Sequence, residues 1–459
     1  MPDSLRFEIY DEVNGVGTTY DFLTAGLKPV TGTWRADKRN NRVMYTVLLV
    51  AKDTAANIRD TVNDLEDMLF QANLFIRDAL EEESVWYRVQ TDGESVKRAL
   101  VYDFLLEPTD TAAFEIHLEH EAALYALNFT TDAAFEEAVS QYELSPADLS
   151  VLGGTWDLTA EITGGREDGR IAVFSAKSRV DDVDFAKMWV GIRPGRFPAG
   201  TGDFEPVFDV TDYAVTGITS GSDTNASGGA YRNVSFSGGE ALDFKFSNLL
   251  GGKTSDWTYY RGRYLVLFRA KVSNSTTTCS VRVSTSFFEP ALSEPILLGQ
   301  TTYISSDDWH LYELGEIDIP PGRVHSKLDL EFFRVNIEAG RIAGSGNLHA
   351  DCFILIPSHH LFVWDGASFG ADTALRTPIT EAKVFSFPDF ALEAYAADMN
   401  GTIRMGTVMA LATPGGKNWR WPIDGGFVVV AAERADGHVI ADEMQLDIEV
   451  YRRWTTYRV

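Results

Sequence analysis

The residues best suited to chemistry are aromatic and flanked by polar partners. In the segment SDWTYYRGRY, Trp257, Tyr259 and Tyr260 lie beside Asp256, Arg261 and Arg263, and Trp309 follows Asp307 and Asp308 in SSDDWHLY. Flat rings of this kind pack on the apolar face of a pyranose, while carboxylates and guanidinium groups alongside hydrogen-bond its hydroxyls. Trp257, Tyr259, Tyr260, Trp309 and Arg261 are therefore the candidate sugar contacts, with Tyr231, which follows the ASGG turn, a weaker one.

No catalytic constellation accompanies them, and the chain reads as a binding and assembly protein rather than an enzyme. His117 and His120 in HLEHE lack the HExxH spacing, and on a strand they point to opposite faces. The glycine pairs lack the Lys-Ser/Thr that ends a phosphate loop and read as turns. With 67 acidic residues, carboxylate pairs are unavoidable and none is singled out for glycoside hydrolysis.

Composition narrows the classes further. A formal charge of −27 opposes general affinity for nucleic acid, because phosphate binding needs clustered Lys and Arg. The apolar runs VLLVA and FVVVAA fall far below the ~20 residues that cross a bilayer, so no membrane insertion is expected. The N-terminal MPDSLRFEIYDEVNG has no basic stretch followed by an apolar run and predicts a strand rather than a secretory leader. Cys279 and Cys352 are the two cysteines, both at inward strand positions. Free buried thiols are the expectation there, with a disulfide as the alternative.

The elements that must position these residues follow from periodicity. Leu5, Phe7 and Ile9 alternate with polar residues, as do Val43, Tyr45, Val47 and Leu49, and both runs predict half-buried strands. Between Asp53 and Leu80, apolar residues recur at steps of three and four, with Asp60, Asp64, Glu66, Asp67 and Asp78 opposite them. That pattern predicts a long helix lying across a sheet. The segments SVWYRVQ, VKRALVYDFLLEP and AAFEIHLEHEAAL predict further strands. Residues 129–150 read as a short helical or irregular piece, and GGTWDLTAEITGG and RIAVFSAK read as a hairpin.

From RNVSFSG to LHADCFILIP, seven short strands with no helix between them predict a two-sheet antiparallel sandwich of the jelly-roll type. The 459 residues suit about two or three domains at roughly 150 residues each. The expected plan is mainly β. Residues 1–204 and 359–459 form a β-sandwich scaffold with one long helix and hairpins, and 205–358 are inserted into it, standing off as a separate globule.

The order from TYDFLTAGLKPVTGTW through VLLVAKDTAANIRDTVNDLEDMLFQA to WYRVQTDGESVKRALVYDFLLEP resembles the distal tail (tail-tip, baseplate) proteins of siphophages. GKNWRWPIDGGFVVVAAERADGHVIADEMQLDIEVYRRW resembles the returning end of such proteins. The stretch with DTNASGGAY, RGRYLVLFRAKV, DWHLYELGEIDIP and HADCFILIP is similar to carbohydrate-binding jelly rolls. The resemblance implies a virion component assembled in the host cytoplasm as a ring, usually a hexamer, beside tail-tube and tip proteins, with the insert reaching host-surface glycan. It also implies a structural calcium on Asp351, with Asp209 or Asp223 as partner. An acidic ring lining suits a DNA conduit, and solubility explains the charge equally well. A glycan-acting enzyme, or a tail-decoration protein whose jelly roll has no ligand, are the alternatives.

Overall fold

The architecture was derived from a computed structural model of the chain. It describes residues 5–454 outside the segments 12–14, 23–26, 31–32, 40, 53–56, 58–59, 61–62, 71–82, 90–96, 109–121, 145–148, 151–152, 159–161, 163–166, 179–184, 195–206, 210–217, 227–228, 237–243, 247–259, 288–296, 320–332, 367–378, 387–391, 399–402, 406–418 and 436–443. The chain is mainly β, built from several antiparallel sheets with no closed barrel.

A long sheet of 14 strands begins with the N-terminal region. Its first core gathers Leu5, Phe7, Tyr45, Val47, Leu49, Tyr87 and Ala99, inward residues of four expected strands, together with Phe129, which no expected strand contained. Residues 63–70 are helical and add Leu65 and Leu69 to that core, as the three-and-four spacing requires. The expected continuation of the helix to Leu80 lies outside the described residues, as do His117 and His120.

Two local expectations are corrected. Residues 129–144 are not helical or irregular: Ala122–Asp132 and Phe135–Leu144 are strands. The acidic run there looks surface-like only in isolation. Glu136 is bound by Arg170 at 3.0 Å, and Glu137 meets Arg452 at 3.5 Å, both from distant strands. Nor do Gly153–Asp157 and Glu167–Ser178 form a hairpin. The former pairs with Gly426–Arg434, and the latter sits in the long sheet between Met444–Trp454 and Ile379–Ser386. All three partners lie more than 200 residues on, where no local pattern reaches.

These pairings draw the early and late parts of the chain into common sheets. Met444–Trp454 lies between Phe135–Leu144 and Glu167–Ser178. A middle sheet of five strands has Gly426–Arg434 beside Phe185–Pro194, with His360–Asp365 at one edge. Residues 207–357 build two further sheets among themselves. The inner one orders Ile218–Ser222, Ala230–Val234, Leu348–Pro357, Gly262–Val272 and His310–Ile319. The outer one centres on Phe333–Ala343 paired with Thr278–Phe287. Each of the seven expected insert strands overlaps a strand among the described residues.

The insert does not stand clear of the scaffold. The middle sheet is buried on both faces with the period of two that a strand dictates. Met188, Val190, Ile192, Val428, Val430 and Ala432 join the core beneath the long sheet. Trp189, Leu361, Val363, Phe427, Val429 and Ala431 share one core with the insert's Phe268, Ile354 and Ile356. At Gly191 the backbones come so close that a Cβ would sit 2.4 Å from the Pro357 carbonyl oxygen and 2.7 Å from Ile356 Cγ2.

Polar contacts fix the edge of this junction. The Trp189 indole N–H donates to Glu313 Oε1 at 2.9 Å, joined there by Lys187 Nζ at 2.6 Å. His310 Nδ1 lies 2.8 Å from Glu433 Oε1, and this contact raises the imidazole pKa above its usual 6.5 against the opposing effect of burial. A base whose folded pKa is raised adds stability in full below its unfolded pKa and loses it as pH rises through the folded value. The junction is therefore expected to lose stability as pH rises above about 6.5, and His310→Gln to abolish that slope, read from thermal melts over a pH series.

Candidate functional site

The strand Gly262–Val272 places its side chains alternately on two faces of the inner insert sheet. Val272, Leu348 and Val234 are direct cross-strand neighbours, and all are buried in the sandwich core. One residue away, Lys271, His349 and Asn233 form the next cross-strand row, which must project from the opposite face. Along Gly262–Val272, that outward face continues through Arg269, Leu267 and Leu265 towards the docked middle sheet. It is apolar where the scaffold covers it and polar at the far end.

A β-bulge makes this change of character fit. Arg269 pairs with Cys352 and Ala270 with Ala350, so Asp351 is the extra residue. Its carboxylate is fully buried and accepts from Arg269 Nη1 at 2.6 Å. The guanidinium in turn lies 5.4 Å from the Trp309 ring.

On the polar end sits a half-buried patch. Asp223 accepts from Lys271 Nζ at 2.6 Å, from the Trp309 indole N–H at 3.0 Å and, through its other oxygen, from the Asn225 amide at 2.9 Å. Burial pushes the Asp223 carboxyl up, but these three donors outweigh it and hold the pKa at about 2. Lys271 Nζ also stands 4.8 Å over the Trp309 ring. Tyr231 packs on His349 with centroids 4.4 Å apart and meets Trp309 edge-on at 5.8 Å. Burial and Lys271 keep the His349 imidazole pKa below its usual value, so it is neutral at physiological pH. The Asn233 Oδ1 and His349 Nδ1 atoms have no hydrogen-bond partner among the described residues.

Gly221, the cross-strand partner of Tyr231, supplies the space for the ring. A Cβ there would lie 2.2 Å from Tyr231 Cζ. Because the end of a tyrosine side chain can swing aside, Gly221→Ala is expected to change stability by less than about 1 kcal/mol while moving the ring. A shift of the His349 imidazole resonances, with thermal stability kept, is the check.

The expected site residues are dispersed. Trp309 belongs to the patch, but it is only 4% exposed and contributes a held indole N–H rather than an open platform. Tyr260 is 2% exposed and tilts on Phe208 at 5.8 Å; it is a core residue, not a sugar contact. Arg261 is exposed and bears on the buried Arg193 nearby. Trp257 and Tyr259 lie outside the described residues.

The two expected calcium ligands are placed as follows. Asp351 is committed to Arg269, and Asp209, opposite Cys352, is only half-buried. No group of three potential ligands among the described residues could hold a metal ion. Cys279 and Cys352 are free and buried, and burial raises the thiol pKa of both, Cys279 to about 11.

Lys271, His349 and Asn233 escaped sequence reading, although Lys271 and His349 are polar residues on otherwise largely apolar strands. That contrast was the available signal; the register that unites them was not.

No protein-family profile matches the chain, and no curated protein does. Among solved structures it is similar to the CBM22-1–GH10 modules of Clostridium thermocellum endo-1,4-β-D-xylanase 10B complexed with xylohexaose, at 11% identity and a TM-score of 0.22, covering 33% of this chain and 26% of that one. It is also similar to the cycloalternan-forming enzyme of Listeria monocytogenes in complex with a pentasaccharide, at 10% identity and a TM-score of 0.18, covering 61% of this chain and 21% of that one.

Proposed function

We propose that the chain is a structural protein of a phage tail tip. In this reading it assembles as a ring, usually sixfold, contacts tail-tube and tip proteins, and presents the insert to glycan on the host surface. Its task is to assemble and bind rather than to catalyse. The observation that carries the reading is the pairing of early and late strands into common sheets around a complete inserted sandwich. Such a carrier fixes the direction in which its insert points, which an adsorption device requires.

The glycan contact is assigned to the patch of Asp223, Tyr231, Asn233, Lys271, Trp309 and His349. A sugar hydroxyl both donates and accepts, which suits the acceptor on Asn233, the neutral imidazole of His349 and the ammonium of Lys271. The Tyr231 ring supplies an apolar surface for the C–H face of the sugar. Retention of the full chain on host cell-wall polysaccharide is expected to fall about tenfold or more in Tyr231→Ala and in Lys271→Ala. Undiminished retention in both variants would remove the patch from the reading. Native mass spectrometry that finds only monomer would remove the ring.

A further inference from the structure

The N-terminal part of the long sheet turns an unassigned face away from its core. Arg35–Arg39, Arg42–Lys52, Ala122–Asp132 and Lys97–Pro108 lie side by side in that order. Tyr45, Val47, Leu49, Phe104, Leu127 and Phe129 point into the core. The residues that alternate with them must project from the opposite face. Met44, Leu48, Val50, Ala126 and Leu105 are therefore on one outward apolar face, and none of them joins the core beneath. Met44 is 44% and Leu105 54% exposed, while Leu48, Val50 and Ala126 are half-buried. The polar residues at the centre serve each other, with the Thr46 hydroxyl donating to Asn128 Oδ1 at 2.7 Å.

Opposite charges flank this face. The strand Arg35–Arg39 is exposed throughout and sets Arg35, Lys38 and Arg39 against a single carboxylate, Asp37, which binds Arg39 at 3.0 Å. Arg35 and Lys38 are in no ion pair with a described residue. On the other flank Asp103 and Glu107 are exposed and meet no cation among the described residues; Glu107 accepts from Asn128 Nδ2 at 3.5 Å. Arg42, whose guanidinium lies 4.1 Å over the Tyr102 ring, forms no ion pair with either carboxylate.

Register gives the two flanks a fixed relation. Arg35, Thr46, Asn128 and Leu105 form one cross-strand row, and Asp103 and Glu107 stand in the outward rows on either side of it. Three strand spacings, about 14 Å in all, separate Arg35 from these carboxylates, so the flanks do not neutralise each other within one copy.

We propose that this face docks on the same face of a second copy of the chain, the two copies being related by a two-fold axis parallel to the strands. The charges select that axis. Rotation about it keeps each residue at its own height along the strands and exchanges the flanks, so each Arg35 comes down between Asp103 and Glu107 of the other copy. Asp37 stands at the height of Asp103 but is neutralised by Arg39. A two-fold across the strands would instead set like flanks against each other. Met44, Leu48, Val50, Ala126 and Leu105 of both copies then close into one layer between sheets about 10 Å apart. The contact goes beyond the ring reading and does not rest on it: two copies complete it, and where each copy also belongs to a ring it joins two rings face to face.

The test is native mass spectrometry and sedimentation of the full-length chain over a concentration series. Wild type is expected in even numbers of copies. Met44→Glu, at an exposed position where the thermal melt of the dilute subunit should not move, is expected to weaken the association about a hundredfold by placing charge in the apolar layer. Arg35→Glu is expected to weaken it about tenfold or more, and Arg35→Glu combined with Asp103→Arg in one chain to recover most of that loss, because both flanks have then exchanged sign. A Met44→Glu variant that associates as wild type does would overturn the face. A double variant no better than Arg35→Glu would overturn the pairing of flanks and with it the axis. Wild type in six copies only, unchanged by every variant, would overturn this contact and leave the ring standing, whereas a dimer that forms no ring would keep the contact and remove the ring. A wild type that is monomeric at every concentration would overturn both and leave the face to a different protein.

Discussion

Replacing Asp351 by Ala is expected to destabilise the insert by about 3–5 kcal/mol, among the largest effects of any single substitution. The carboxylate is fully buried at the bulge, and its removal leaves the Arg269 guanidinium, itself 3% exposed, without its anion. Removing both charges differs from removing one. The pair Asp351→Ala and Arg269→Met leaves no buried charge and is expected to recover most of the loss, because apolar replacements of buried ion pairs are often neutral or stabilising. Urea unfolding of the two single variants and the double variant measures the coupling. Additive losses would show that the two groups do not act as a pair.

The second large effect is expected at the junction. Trp189→Ala removes a fully buried indole from the core shared by scaffold and insert, along with its hydrogen bond to Glu313. Emptying a site of this size costs about 3–5 kcal/mol. The loss falls on the contact between two sheets rather than within either, so the single calorimetric transition expected of the wild type should separate into two. Limited proteolysis should then cut near 195–206, a segment rich in Gly and Pro. One unchanged transition would mean that the shared core does not couple the two parts.

Period-two alternation disclosed the strands that carry Phe7, Tyr45 and Val47, and spacing of three and four disclosed the helix that buries Leu65 and Leu69. The insert was legible for the same reason, since its strands are short and follow one another. What escaped depended on distance along the chain. Residues 129–144 read as helical or irregular because the partner of Glu136, Arg170, lies 34 positions away. Gly153–Asp157 looked like half of a hairpin because its true neighbour begins at Gly426. The site suffered similarly. Tyr260 resembled a sugar platform until Phe208 was found against it, and the patch around Asp223 exists only because register brings Asn233, His349 and Lys271 abreast. Local composition reports which residues can do chemistry, whereas cross-strand register decides which ones meet.

The close approach at Gly191 bears on how such a protein diversifies. A tethered module can be exchanged by recombination at its two linkers, with no change to the body that carries it. Here the recipient surface is made of Trp189, Gly191, Leu361, Val363 and Val429, and it matches the relief of Ile356 and Pro357 to within a methyl group. A foreign head grafted at the same two crossing points would inherit a glycine notch and an indole ridge shaped for its predecessor. Diversification of this protein should therefore proceed by substitution on the existing insert, or by transfer of the insert together with one face of its support.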